Sequence, residues 1–451
     1  MKIRKFTMPD PLALLVGGIF LAAALTWVLP AGKYERREDP ATHRSVVVNG
    51  TYKGVEAQPV GPWAAMVAVP TGLAAGSGVI FFVFLAGGAL TVVDRTGALR
   101  GAVDGLAHVL GERETMIVPV FCLLFGTMGA VEQMQEEIIA LIPLLLLVTR
   151  RVGFDALTAA AMSVGAAMIG AAFSPWNPFQ TIIAQRIAGL PVGSASGFRA
   201  VMLVIALALW TAATMRYAIR TRGAPQPAGE AAPPGSSAAR SYAVMLIVAA
   251  ALTIFVLGIT TWGWDFETSG AAIFLALGIV AGLAGGLGVN GTAGGLADGF
   301  RSMGYAALLI GFARVIRVVL EQGHVMDTIV YGLFMPLQHL PLAASAAGMV
   351  AVQGAIHVAV PSTSGQAALT MPVLVPLSDL LGLSRQVTVL AFQAGAGMCE
   401  LLTPTNGAMM AVIAAAGVSY DKWLRFAAPI VAIMVLGALL AIFVAIAIGL
   451  G

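Results

Sequence analysis

Along this chain, apolar runs long enough to cross a bilayer alternate with short polar stretches, about 20 residues being needed for each crossing. The runs lie at 12–30, 77–94, 155–190, 197–218, 242–262, 270–290, 303–320, 385–417 and 424–449. Two of them are interrupted by polar, helix-breaking residues, 155–190 at 174–178 and 385–417 at 403–407. Two further segments, 114–150 and 342–380, each hold a pair of apolar arms, too short to cross comfortably, joined by a polar tip. The tips read Glu132-Gln133-Met134-Gln135-Glu136-Glu137 and Pro361-Ser362-Thr363-Ser364-Gly365-Gln366. The pattern predicts an all-α polytopic membrane protein with about nine transmembrane helices, two re-entrant hairpins and two broken helices. Residues 97–110 and 323–339 mix apolar and polar positions and read as helices lying in the interface.

The interruptions recur. Residues 132–178 and 361–407 align without a gap at an offset of 229, which carries Pro143 onto Pro372, Gly153 onto Gly382, Pro175 onto Pro404 and Asn177 onto Asn406. Matched interruptions in two halves of a membrane chain point to a transporter's binding site. The halves are 1–222 and 241–451, joined by a Pro-, Gly-, Ala- and Ser-rich linker at 223–240, expected to be flexible and cytoplasmic. With the N-terminus placed in the cytoplasm, the arginines of 95–113, 150–154, 216–222 and 301 and the Lys422–Arg425 pair fall on the cytoplasmic side. An odd number of spans then separates the hairpins, so the repeats are expected to be inverted. Trp27, Tyr34, Trp262, Trp264, Tyr420 and Trp423 are expected at the two interfaces.

Composition narrows the class. The chain of 451 residues is 59% hydrophobic and 10% charged, against roughly 25% charged in soluble domains. The net charge of +3 sits in short loops and speaks to orientation, not to nucleic acid. Lys2, Arg4 and Lys5 ahead of the first apolar run imitate a secretory signal, but the run is long and reads as an uncleaved first span. Cys122 and Cys399 lie in apolar runs and read as packed thiols, and the five histidines have no metal-ligand spacing. Gly286-x-Gly288-x-x-Gly291 follows a membrane helix instead of a strand, so it is not a dinucleotide site. No Walker loop, His-Glu-x-x-His or nucleophile elbow is present, which argues against an ATP-driven pump and against an enzyme.

The breaks carry the chemistry. Proline removes a backbone donor, and freed carbonyls survive in a membrane only where they line a cavity or are buried in protein. Ser174-Pro175-Trp176-Asn177 and Thr403-Pro404-Thr405-Asn406 therefore offer hydroxyl, amide and carbonyl oxygens, a hard-cation set for sodium at Ser174, Asn177, Thr403 and Asn406. Ser362, Thr363, Ser364, Gly365 and Gln366 present hydroxyls and amides to a solute, and Pro175 and Thr405 complete the two breaks. Glu136 and Glu137 on the first tip, and Glu400 one turn before the second break, are intramembrane acids and so functional candidates. His357 reads as a packing residue that can titrate, and Arg314 and Arg317 as scaffold or snorkelling side chains, with a role in the site as the alternative.

At these residues a resemblance enters. Met134-Gln135-Glu136-Glu137, Gly153-Phe154-Asp155, Trp176-Asn177-Pro178-Phe179 and Ile183-Ala184-Gln185 resemble the first repeat of the C4-dicarboxylate uptake C family, in its YfcC-like branch. Ala367 through Pro372, Ser384-Arg385-Gln386-Val387 and Thr403-Pro404-Thr405-Asn406-Gly407 resemble the second. The resemblance implies the ion-transporter superfamily, an inverted-repeat elevator fold and a homodimer in the inner membrane of a bacterium. It also implies that the tips and breaks bind solute and a coupling ion, H+ or Na+. Sodium-coupled dicarboxylate carriers of the superfamily carry Ser-Asn-Thr at both tips, whereas here the first tip carries Glu136-Glu137 and the second Ser362-Thr363-Ser364.

The expected function is secondary active transport of a small charged organic solute, with no cofactor. The four tip and break segments contain acids but no Lys or Arg, which favours a basic amino acid of the arginine or ornithine type, taken by antiport. C4-dicarboxylate uptake is the runner-up. A passive channel would line a continuous pore with rings of like residues, which this pattern does not supply.

Overall fold

The computed structural model describes residues 8–40, 42–101, 105, 111–226 and 237–451. Lys2, Arg4, Lys5, most of the linker and most of the interfacial segment 97–110 lie outside the described residues.

Helix α1 (Pro11–Val28) starts on Asp10, whose carboxylate accepts the Leu12 N–H at 2.9 Å, with Pro11 at the first helical position. The loop that follows carries strands. It forms two nested antiparallel ladders, β1 (Gly32–Lys33) with β4 (Lys53–Gly54) and β2 (Arg36–Asp39) with β3 (Arg44–Val47). Helix α2 (Pro62–Ala75) was not predicted, because its 14 residues carry Pro70 and fall short of a full crossing. It leads into α3 (Ser77–Arg95).

The first hairpin is α4 (Ile117–Glu132) and α5 (Glu136–Val152), and the first broken helix is α6 (156–173) with α7 (178–187). Then come α8 (Ser196–Thr221), α9 (Ala238–Thr261), α10 (Phe266–Ala284, opening on a π turn) and α11 (Gly288–Gln322). Helix α11 begins well before the predicted 303 and has 35 residues, roughly 52 Å of helix. A short helix α12 (Met326–Phe334) leads to the second hairpin, α13 (Leu342–Ala359) and α14 (Thr363–Leu381). The second broken helix is α15 (Arg385–Glu400) with α16 (Gly407–Ala415), and α17 (Tyr420–Ala447) closes the fold.

Among the described residues ten helices are long and apolar enough to cross a membrane. The ten differ from the nine predicted spans in two ways. They include the first arms of both hairpins, at Arg113–Glu132 and Leu342–Ala359, which are longer than expected. They leave out the second broken helix, whose pieces have 16 and 9 residues.

The duplication is visible in local backbone. Gly153 and Gly382 end α5 and α14 in the left-handed region, at φ +83° and +70°, a conformation that glycine adopts without penalty. Asp155 and Ser384, again 229 residues apart, cap the broken helices that follow. Pro143 and Pro372 lie inside the second arms. Burial works against the Asp155 carboxylate, but Lys422 Nζ at 2.7 Å, the Thr158 N–H at 3.0 Å and the Tyr217 hydroxyl at 2.8 Å outweigh it and hold its carboxyl below the ordinary range.

Each hairpin packs on the broken helix of its own repeat through glycine. A side chain on Gly170 of α6 would run into the Gly126 carbonyl of α4, and one on Gly395 of α15 into the Val350 carbonyl of α13. Such close backbone approach is how membrane helices associate when lipid offers no hydrophobic drive. The two broken helices also meet each other: Gln393 Nε2 donates to Thr181 Oγ1 at 2.8 Å and to the Ser174 carbonyl at 3.0 Å.

Candidate functional site

The first tip turns sharply. Gln133 ends α4 at φ +53°, its N–H bonded to the Gly129 carbonyl at 2.9 Å, and α5 starts three residues later with Glu136 and Glu137 in its first turn. Carboxylates are favoured at a helix N-terminus, and Glu137 Oε2 accepts the Gln135 N–H at 3.1 Å. The second tip is tied by Ser362, whose Oγ accepts the Gly365 N–H at 3.3 Å at the start of α14.

The two tips touch. Gln133 Nε2 donates to Thr363 Oγ1 at 2.8 Å, across 230 residues of sequence. Gln135 Nε2 donates to Glu400 Oε2 at 2.7 Å, linking the first tip to the helix before the second break. Around this junction lies a cavity of about 860 Å³. Glu132, Glu136 and Glu137 line it from the first tip, Ser362, Thr363 and Ser364 from the second, and Glu400, Thr405, Asn406 and Gly407 from the second break. Arg314, Arg317 and Glu321 of α11, with Thr127 and Asp265, add to the polar lining, and Phe255, Trp264 and Phe266 supply an apolar side. Arg317 Nε pairs with Glu321 Oε1 at 2.8 Å, and Arg314 Nη1 bonds the Ala75 carbonyl at the end of α2. A second cavity, of about 520 Å³, lies beyond the second tip and is lined by Ser362, Ser364, Gly365, Arg317 and the basic residues Lys33, Arg36 and Arg44 of the β-ladder loop.

Not every predicted residue reaches the central cavity. Ser174 and Asn177 are fully buried. Ser174 Oγ donates to the Ala130 carbonyl at 2.6 Å, and Asn177 Nδ2 to the Gly129 carbonyl at 3.1 Å, while Asn177 Oδ1 accepts the N–H groups of Phe179 and Gln180, each at 2.9 Å. The first break is thus stapled to the end of the first hairpin arm. Pro175 and Thr403 stay off the cavity wall, Thr403 Oγ1 lying 2.7 Å from Thr405 Oγ1. Gln366 is buried behind the second tip, bonded to Gln353 and His357. Asn406 caps α16 through the Met409 N–H at 3.1 Å and reaches the Glu400 carbonyl at 3.4 Å.

Sequence reasoning missed several groups. Arg314 and Arg317, read first as scaffold and only alternatively as site residues, line the cavity. Gln133 and Gln135 join the two halves, and Arg199 is buried with donations to Gln393 Oε1 at 2.7 Å and Gln386 Oε1 at 2.9 Å. Their spacing to the partners carries no local signal, though a polar side chain in an apolar run was itself a flag. The expected aromatic belts also need correction. Trp27 and Trp262 are exposed, but Tyr34, Tyr420 and Trp423 are buried. Trp423 Nε1 bonds the Leu401 carbonyl at 2.8 Å and the Tyr420 hydroxyl bonds the Leu402 carbonyl, so both satisfy acceptors orphaned where α15 ends. Trp210 Nε1 donates at 2.8 Å to the Ala161 carbonyl in the π turn of α6, which also accepts the Ala166 N–H.

A family model described as DcuC, C4-dicarboxylate anaerobic carrier, matches residues 8–447. A protein of Escherichia coli (strain K12) named "Putative basic amino acid antiporter YfcC" is 32% identical over 96% of this chain and 95% of its own. An uncharacterized protein of Haemophilus influenzae is 26% identical over 96% of both. Among solved structures, the Alcanivorax borkumensis YdaH transporter aligns over 98% of this chain and 99% of its own, at 17% identity and a TM-score of 0.43. The chain therefore belongs to the DcuC family of membrane carriers.

Proposed function

We propose that this carrier exchanges basic amino acids of the arginine or ornithine type across the inner membrane of a bacterium, by an elevator movement of the two hairpins and broken helices. The observation that carries the reading is the polarity of the central cavity. Glu136, Glu137 and Glu400 stand on the hairpin and break side, and Arg314 and Arg317 on α11. A solute with a cationic side chain and an α-carboxylate matches both sides at once, through charge-assisted hydrogen bonds. A dicarboxylate would pair with the arginines but meet the glutamates with like charge. The name of the E. coli relative agrees with the first solute.

In this reading the halves 1–222 and 241–451 are inverted repeats about the cytoplasmic linker 223–240, and the N-terminus is cytoplasmic. The tips and breaks move against a scaffold that includes α11, in a homodimer, with H+ or Na+ as the coupling ion. Carboxylate uptake stays as a second reading because Arg314 and Arg317 sit one turn apart on one helix face, a pair suited to a carboxylate. Counterflow of labelled arginine and of a labelled C4-dicarboxylate into liposomes separates the two. Arginine counterflow that Glu137→Gln abolishes is the expected result. Dicarboxylate counterflow with no arginine counterflow would reverse the assignment.

A further inference from the structure

Behind the two tips runs a buried chain of hydrogen bonds whose direction can be read end to end. Thr370 Oγ1 donates to the Gln366 carbonyl at 2.8 Å and accepts Gln353 Nε2 at 3.0 Å. That fixes the Gln353 amide with its oxygen free to accept. Gln366 Nε2 donates to that oxygen and to the Gln353 carbonyl, the latter at 2.8 Å. The Gln366 amide is thereby fixed as well, and its Oε1 faces His357 Nδ1 at 2.8 Å. An amide oxygen only accepts, so Nδ1 carries the hydrogen and His357 Nε2 presents a lone pair.

The lone pair meets another acceptor. His357 Nε2 has no hydrogen-bond partner, and Glu400 Oε1 lies 3.7 Å away. His357 is fully buried and Glu400 is 4% exposed. Glu400 Oε2 is already taken by Gln135 Nε2. Two acceptors face each other with no donor between them, at a separation too long for a hydrogen bond. An unpartnered buried nitrogen is costly, and one proton would satisfy both atoms.

We propose that His357 and Glu400 form a proton-binding pair that holds a single proton between Nε2 and Oε1, and that this proton is the coupling ion. Glu400 lines the central cavity, so the proton can enter from water there and leave the same way, with no other bond made or broken. The other ionisable groups lining the cavity that Glu400 enters are Glu132, Glu136 and Glu137 on the first tip, Asp265 just before α10, and Arg314, Arg317 and Glu321 on α11. On α13 and α14 His357 is the only ionisable side chain near this end, and on α15 Cys399 adjoins Glu400. Gln135 ties the occupied pair to the first tip, so that gaining or losing the proton changes what holds that tip in place. The coupling role rests on the exchange reading above: a cationic solute beside Glu136 and Glu137 competes electrostatically with the proton, which gives exchange. The pair itself does not depend on that reading.

The test uses the full-length carrier reconstituted on a solid-supported membrane, with no solute present. A pH jump is expected to give a transient charge displacement in the wild type, lost in Glu400→Gln and in His357→Gln. Both variants must remain monodisperse with an unchanged melting temperature to count. Gln135→Leu provides a readout that a packing role would not move: stripped of a donor to the carboxylate, the pair should bind its proton more readily, raising the pH of half-displacement by about one to two units. No displacement in the wild type, or the same displacement and midpoint in all three variants, overturns the proposal. Displacement kept with no arginine counterflow overturns the solute assignment alone.

Discussion

Residues in this carrier are held by what their own turn of helix leaves unsatisfied. Asn177 and Asn406 both cap the second piece of a broken helix, but they are not equally committed. Asn177 accepts two N–H groups and donates to a carbonyl of the first hairpin, whereas Asn406 accepts one and reaches a carbonyl only at 3.4 Å. Asn177→Ala should therefore cost about 2–3 kcal/mol of stability and Asn406→Ala about 1 kcal/mol, as read by thermal melting in detergent. A second expectation concerns binding. Arg314→Gln removes a charged donor from the cavity wall and should weaken arginine binding about 10- to 100-fold, measured by titration of the purified protein. The caps were legible in the sequence because a cap and its helix are neighbours. Arg199, Gln133 and Gln393 were not, because their partners lie roughly 200 residues away and only the fold brings them close.

At the scale of elements, what could be read was periodicity, and what could not was context. The hairpin arms, the breaks and the terminating glycines all follow from local composition, and the offset of 229 repeats them. Helix α2 was hidden by its short length and internal proline, and the β ladders by their charged, short strands. The packing of each hairpin on its own broken helix depends on bare backbone. Gly170→Val would drive a branched side chain into the Gly126 carbonyl of α4. The expected outcome is a loss of about 1–3 kcal/mol or more and of arginine counterflow, even though residue 170 touches no solute. Gly437→Val on α17, where a side chain would meet nothing within 4 Å, should leave both unchanged.

Considered as a whole molecule, the chain uses its duplication to bring polar interruptions from both halves to one cavity, and uses α11 to oppose them with arginine. Sequence reasoning located the interruptions but gave Arg314 and Arg317 a place in the site only as an alternative, since nothing local marks which face of a long helix meets a cavity. Ser174 and Asn177 show the converse: both were read as ligands, and the fold employs both to join the first hairpin to its break. In the proposed account, enclosure of the solute depends on the joining of the tips. With Cys122 and Cys399 replaced by alanine, Gln133→Cys and Thr363→Cys should be bridged by a short bis-methanethiosulfonate reagent that replaces the reach of the native Gln133 side chain, and cross-linking should stop arginine counterflow until the bridge is reduced. A pair that does not cross-link, or counterflow that continues through the fully cross-linked protein, would contradict the account.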